Sequence, residues 1–323
     1  MKKDMTVSLH SPVQFVLKYG IYFLFAVICI ILAVTNANFL TANNIINVLL
    51  QTCIIAAVAT GMTYVIITGG IDVSAGAVMA VASGCGVGLI KFMQFPWWAG
   101  MLIMVTVGFL FGTINGAAVA YLKMPAFLVT LATQSIARGM TLVLSGGKSW
   151  YDLPDQFGTL GSSSFIGIPV LVFIILALYA GGQLLLRNTI YGRKVYAVGG
   201  NAEAAKVSGI NVRKVTMSVY MLAGLIIGVA AVLQTARLNS FWASMGTGME
   251  FTVIAGVVIG GTSLAGGSGS LGGTFIGVLL MGIIDNALNL WGVPANIQDV
   301  ARGCIIFLAV MMDSMRSQYK KAE

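Results

Sequence analysis

The sequence predicts an all-α polytopic membrane protein: about ten transmembrane helices, some broken or re-entrant, in one domain spanning residues 1–323. Three observations predict it. Of the 323 residues, 58% are hydrophobic and only 9% charged, against roughly 25% charged in a soluble domain, so the chain cannot cover a water-facing surface. Mean hydropathy is +0.93. Charge-free windows at 19–71, 92–122, 156–186, 215–236 and 251–284 each suffice for at least one crossing at about 20 residues apiece. This leaves no room for a separate soluble catalytic domain.

Splitting the windows at glycine, proline and asparagine clusters gives the elements in order. The first, 19–35, stops at Asn36 and Asn38; 45–68 begins after Asn43 and Asn44 and stops at Gly69 and Gly70; 75–94 stops before Pro96. Spans 98–121 and 126–145 are divided at Pro125, and the latter ends at Gly146 and Gly147. Arg187 closes 166–186, and Lys214 and Arg237 bracket 215–236. The remaining spans are 251–265, 273–291 and 298–313, separated by Gly266, Gly267 and Gly272, then Gly292 and Pro294.

The charges test this count, because loops retained in the cytoplasm carry the excess of lysine and arginine. Ten crossings place three basic blocks on one side: Lys2, Lys3 and Lys18; Arg187, Arg193, Lys194, Lys206, Arg213 and Lys214; and Arg316, Lys320 and Lys321. Both termini are then expected in the cytoplasm. The connection 145–165, with Lys148, Asp152 and Asp155, and the stretch 237–250 are expected outside. Thr35 and Ala37 imitate a signal-peptide cleavage site, but the 18-residue segment before the first apolar run favours a retained span.

Four cysteines, Cys29, Cys53, Cys85 and Cys304, lie in apolar runs without metal-site spacing, and the single histidine, His10, lies in the polar tail. No metal site and no histidine-based catalysis are expected. Gly267, Gly269 and Gly272 have dinucleotide-loop spacing but follow a membrane span, and Gly147–Ser149 lacks the leading glycine of a phosphate loop, Leu142 standing there. No nucleotide is expected to bind this chain, and the placement of the basic blocks argues against nucleic acid. Glycines four apart, at 108, 112 and 116, 224 and 228, 256 and 260, and 273 and 277, put small residues on one helix face and predict close backbone approach.

Three segments interrupt the apolar pattern: Gly69–Gly76, Pro125–Thr133 and Gly260–Gly273. At membrane depth, non-helical backbone survives only inside protein or beside water, so these segments mark either a transport pathway or tight interfacial turns. Asp72, Arg138, Asp285 and Arg302 are ionisable residues in or near spans, with Asp299 and Asp313 at span ends; each is a functional candidate or a structural ion pair. Asn47, Gln51, Asn115, Thr130, Thr133, Gln134, Asn286 and Asn289 offer hydrogen bonds inside apolar spans, and Phe127, Trp242 and Trp291 offer flat apolar faces. With Asp72, the polar residues and Phe127 form the candidate translocation pathway for a neutral hydroxylated solute. Helix-to-helix hydrogen bonding is the alternative role for each.

Between the sixth and seventh spans lies a polar loop at about 187–214 containing GRKVYAVGGNAEAAKVSG. Asn201 can cap a helix, Ala202–Ser208 is a helix-forming run with Glu203 in its first turn, and Gly209 supplies a left-handed stop. A two-turn helix is marginal alone in water, so packing must hold it, against a partner protein or the bilayer.

The motifs GGIDVSAG, PAFLVTLAT, GRKVYAVGGNAEAAKVSGI and VIAGVVIGGTSL, with Gly246, Glu250, Gly292 and Gln298, resemble the permease subunits of bacterial ATP-binding-cassette sugar importers of the ribose, xylose and galactose type, over roughly residues 15–315. The related branched-chain amino acid branch fits the GGN and SGI of the loop less well. The resemblance implies a permease dimer, homo- or heteromeric, in the bacterial plasma membrane. It further implies a cytoplasmic ATPase that binds the ATP, an extracytoplasmic sugar-binding protein, no cofactor of the permease's own, and import by alternating access. It also implies an ATPase-coupling loop built from Gly192, Arg193, Gly199, Gly200, Asn201, Glu203, Ala204, Ala205, Ser208 and Gly209. The C-terminal tail from Asp313 adds no regulatory motif. An ion-coupled secondary transporter is the alternative function, and a membrane enzyme is disfavoured.

Overall fold

The computed structural model describes the backbone of residues 12–322, so Lys2, Lys3 and His10 lie outside the described residues, as do the side chains of Lys18, Arg316, Lys320 and Lys321. The described chain is almost wholly helical. In order it runs α1 (Pro12–Thr35), α2 (Ala42–Ile67), α3 (Ala75–Phe92), α4 (Trp97–Ala120), α5 (Ala126–Ser145), β1 (Trp150–Tyr151), α6 (Asp155–Ser162), β2 (Ser164–Phe165), β3 (Ile168–Pro169) and α7 (Val170–Asn188). It continues through α8 (Ile190–Gly200), α9 (Ala202–Val207), α10 (Val212–Leu238), β4 (Ser240–Phe241), α11 (Met249–Ile259), α12 (Leu271–Leu290) and α13 (Ala295–Ala322). Among the described residues, eight helices are long and apolar enough to cross a membrane: α2, α3, α4, α5, α7, α10, α12 and the 295–314 part of α13.

The eighth expected crossing departs from the sequence reading. In place of a span over 251–265 stands α11, eleven residues long, about 16 Å at 1.5 Å per residue against a hydrocarbon core of about 30 Å. A turn over 243–248 precedes α11, and the loop 260–270 takes the place of the rest of the expected span. Pro125–Thr133 is likewise no break: Pro125 precedes the first turn of α5 and the rest is helical, as expected of a proline whose missing N–H costs nothing at a helix start.

Contacts define the two ends of the bundle. At one end the close of α2, the loop 260–270, α8 and the 313 region of α13 meet: Gly267 N donates to Ile67 O at 2.8 Å and Leu264 N to Asp313 Oδ2 at 3.0 Å. This end carries Arg193, Lys194, Lys206, Arg213 and Lys214 and is called the basic end. At the other, β1 pairs antiparallel with β4, Trp150 opposite Phe241. There Lys91 Nζ donates to Tyr151 O at 2.6 Å, and the β2–β3 hairpin leads into α7.

More than half of each of the α2, α3, α10 and α12 spans is buried, but under a third of α4, α5, α7 and α13. The central helices are therefore apolar all round, and the glycine rows are their seams. A methyl on Gly112 would stand 2.8 Å from the Gly224 Cα, and one on Gly108 2.7 Å from the Gly228 Cα, so α4 and α10 pack backbone to backbone. Gly260 against Thr274 Cα at 2.7 Å and Gly256 against Val278 do the same for α11 and the inner half of α12. The four-residue spacing thus does what it predicts, gaining van der Waals contact where lipid offers no hydrophobic driving force between helices.

Candidate coupling and translocation site

The loop at the basic end folds as two helices. Thr189 Oγ1 accepts from Gly192 N at 3.1 Å and opens α8; Asn201 Oδ1 accepts from Ala204 N at 2.9 Å and opens α9. Gly209 at φ +82° ends α9, with Gly209 N donating to Lys206 O and Ile210 N to Ala205 O, both at 3.0 Å. Asn211 Oδ1 then caps α10 through Lys214 N at 3.0 Å. The two-turn helix stands where the sequence puts it, with Ser208 as its cap rather than its last residue. Of 201–209 only Ala205 is buried; Glu203, Ala204, Ser208 and Val207 project outward, and Arg193 is exposed on α8.

The base of this element is wedged into both glycine-rich breaks. Gly199 lies under the Ile67 carbonyl, and a methyl on it would stand 2.7 Å from Gly267 N. A methyl on Gly266 would stand 2.8 Å from Gly199 O and 3.1 Å from Gly69 N. Tyr196 Oη donates to Gly269 O at 2.8 Å; burial raises this phenol above its ordinary range, keeping it a donor. Backbone from α2, α8 and the loop before α12 therefore meets closely, Gly199, Gly266 and Gly267 leaving room for the Ile67 carbonyl. Tyr196 and Ile67 were not singled out in the sequence, where only the glycine clusters of the two partner segments, Gly267 among them, signal the junction.

The first break carries a closed polar network. Asp72 Oδ1 accepts from Ser74 N at 2.8 Å and from Ser74 Oγ at 2.5 Å; Asn115 Nδ2 donates to Ser74 Oγ at 3.1 Å; Thr133 Oγ1 donates to Asn115 Oδ1 at 2.6 Å. Thr130 Oγ1 accepts from Val73 N at 3.3 Å. Asp72, Asn115, Thr130 and Thr133 are all buried, so four pathway candidates come together as a bonded group joining α3, α4 and α5. Asn286 exchanges two amide bonds with Asn44, at 3.0 and 2.8 Å, tying α12 to α2. Asn289 accepts from Gln298 Nε2 at 3.0 Å. Asn47, Gln51 and Phe127 are exposed, the first two on the half of α2 remote from the basic end.

The ionisable residues find separate partners. Arg302 pairs with Asp285 and with Asp299, each at 2.9 Å. Glu250, expected outside with 237–250, is instead buried at the start of α11, with Gln134 Nε2 donating to its Oε1 at 2.7 Å. The chain after β4 turns inward: Arg138 Nη1 donates to the carbonyls of Ala243 at 3.2 Å and Met245 at 2.7 Å, and Gly246 lies against Gly76. Gly76 and Gly246 have no Cβ, and that absence lets the turn reach so deep.

Residues 44–310 match the family described as branched-chain amino acid transport system / permease component. The chain belongs to this permease family. It is 40% identical to the ribose import permease protein RbsC of Bacillus subtilis, over 93% of this chain and 94% of the relative. It is 35% identical to the RbsC of Haemophilus influenzae over the same shares, and 36% identical to the D-allose transport system permease protein AlsC of Escherichia coli, over 95% and 96%. No solved structure matches it. The family permease is a multi-span transport subunit of an ABC importer rather than an enzyme.

Proposed function

We propose that this permease imports a monosaccharide, a ribose-like pentose or a hexose, using ATP bound by a separate cytoplasmic ATPase and solute delivered by an extracytoplasmic binding protein. The observation that carries this reading is the wedge of α8 into both glycine breaks, because it connects a protruding, partner-sized knob directly to backbone at the mouth of the bundle. Domain closure of the ATPase moves α9 and α8, Gly199 and Tyr196 carry that motion to 66–72 and 266–270, and the glycine seams let helices pivot between two packings. Two permease copies, homo- or heteromeric, enclose the pathway, to which Asn47, Gln51, Gln134 and Phe127 contribute, while the bonded group at Asp72 changes partners as the pathway switches. The basic end faces the cytoplasm, as the positive-inside rule requires, and so do both termini.

Reconstitution tests it. Proteoliposomes holding the permease and its ATPase, with loaded binding protein outside, should take up the sugar only with ATP inside, and deletion of 201–208 should abolish uptake while leaving insertion intact. Uptake driven by an ion gradient with the chain alone would instead support a secondary transporter.

A further inference from the structure

Among the described residues eight buried side-chain polar atoms have no hydrogen-bond partner, and only two of them belong to charged groups, those of Glu250 and Arg138. Glu250 is 2% exposed, and its Oε2 has no partner; Arg138 on α5 spends Nη1 on two carbonyls, and its Nη2 is also buried without a partner. No ion pair joins them among the described residues. Leaving a buried charged acceptor and a buried charged donor both unfilled is costly in a low-dielectric interior, so the arrangement calls for something that fills both.

The surroundings point the same way. The turn 243–248 is non-helical and lies at span depth, because its Gly246 abuts Gly76, sixteen residues or about 24 Å along α3 from Phe92. Ser244 and Thr247 on this turn and Phe251 in the first turn of α11 are exposed, as are Leu131 and Ser135 on the edge of α5 that carries Gln134 and Arg138. Non-helical backbone at that depth does not persist against lipid, only against water or protein.

We propose that Gln134, Arg138 and Glu250, with the exposed face beside them, form a subsite for the hydroxyls of a neutral solute inside the translocation pathway. The proposal rests on the transport reading above and names where the solute is held. A hydroxyl both donates and accepts, so it can donate to Glu250 Oε2 while accepting from Arg138 Nη2. A bare cation satisfies only the first atom and an anion only the second. Phe251 offers its ring to the apolar C–H side of a sugar. The subsite is closed in this structure, with Glu250 Oε2 lying over Gly76, and opens when α5 and the turn separate.

The test uses the full chain co-expressed with its ATPase, with Cys29, Cys53, Cys85 and Cys304 replaced by alanine. Ser135→Cys and Thr247→Cys should react with a membrane-impermeant sulfonate thiol reagent in opened vesicles. Ile136→Cys, on the opposite side of α5, should be inert. D-ribose, D-allose or L-arabinose at tens of millimolar should slow the two reactions about fivefold or more. Glu250→Gln, Glu250→Ala or Arg138→Met should raise the protecting concentration about tenfold without changing the unprotected rates.

Unreactive cysteines, reaction that none of the three sugars slows, or protection unchanged in all three variants would each overturn the proposal. So would disulfide cross-linking of two Ser135→Cys copies with no reagent access, which would mark a subunit interface instead. None of these rates requires ATP turnover, so an ATP-independent carrier would still show protection and would be recognised separately by the uptake assay.

Discussion

Gly199 and Gly200 are adjacent glycines with opposite surroundings, and the coupling account stands on the difference. A methyl on Gly199 would meet the Ile67 carbonyl and stand 2.7 Å from Gly267 N and 2.8 Å from Ile67 C. Ordinary contact for such atoms begins near 3.4 Å, so clearing Gly267 N alone takes about 0.7 Å (3.4 − 2.7), and clearing the nearer Ile67 carbonyl oxygen takes more. If Gly267 gives way instead, by that 0.7 Å away from Ile67, its bond to Ile67 O lengthens from 2.8 Å to about 3.5 Å, beyond useful range. Forcing a methyl into such a contact costs about 1–3 kcal/mol, and the lost bond about 1 kcal/mol. A methyl on Gly200 meets nothing within 4 Å and should gain a few tenths of a kcal/mol in helix propensity. In proteoliposomes with ATPase and binding protein, Gly199→Ala should lower sugar moved per ATP hydrolysed by about tenfold while ATP hydrolysis persists. Gly200→Ala should match the unmodified protein. Equal coupling in the two variants would refute the idea that Gly199 transmits motion.

Three further outcomes follow from the packing. Gly224→Ala places a methyl 2.7 Å from the Gly112 Cα and should destabilise the detergent-solubilised protein by about 1–3 kcal/mol, read as a lower unfolding temperature, whereas Gly139→Ala, with open space around it, should not. Asn44→Leu or Asn286→Leu alone strands the other amide and should cost about 1–3 kcal/mol; the double variant should cost less than their sum in a thermal-stability cycle. Asn201→Ala removes the cap on Ala204 N and should cost about 1 kcal/mol, read as weaker co-purification of the ATPase, with Asn201→Asp restoring it.

The all-α architecture and the run of full-length helices were legible because apolar length and glycine spacing act locally. Gly108, Gly112, Gly224 and Gly228 reveal a seam before its partner is known, and Asn201 through Gly209 spell out a helix start and stop within nine residues. The half-length α11 was not legible: hydropathy over 251–265 is the same whether the chain stays helical or turns at Gly260, and the decision lies in how Gly256 and Gly260 meet α12. The inward placement of Glu250 was hidden for a related reason. A carboxylate beside a glycine-rich stretch reads as surface until Gln134 and Arg138, more than a hundred residues earlier, supply its surroundings. Asp72 illustrates a third limit, since its partner Ser74 is two residues away in the sequence, yet only the fold brings Asn115 and Thr133 to complete the group. The C-terminal helix also outran its expected span at 298–313, continuing to Ala322, because a helix leaving the membrane has no need to stop where the apolar run does.

The central claim is that α9 is a cytoplasmic knob received by an ATPase. Val207, 88% exposed on α9, reports on it directly: Val207→Cys in a cysteine-free background should resist a membrane-impermeant maleimide in intact cells, react in inverted vesicles, and lose that reactivity when the ATPase is bound. Labelling from outside intact cells, or labelling in inverted vesicles that the bound ATPase leaves unchanged, would contradict the account.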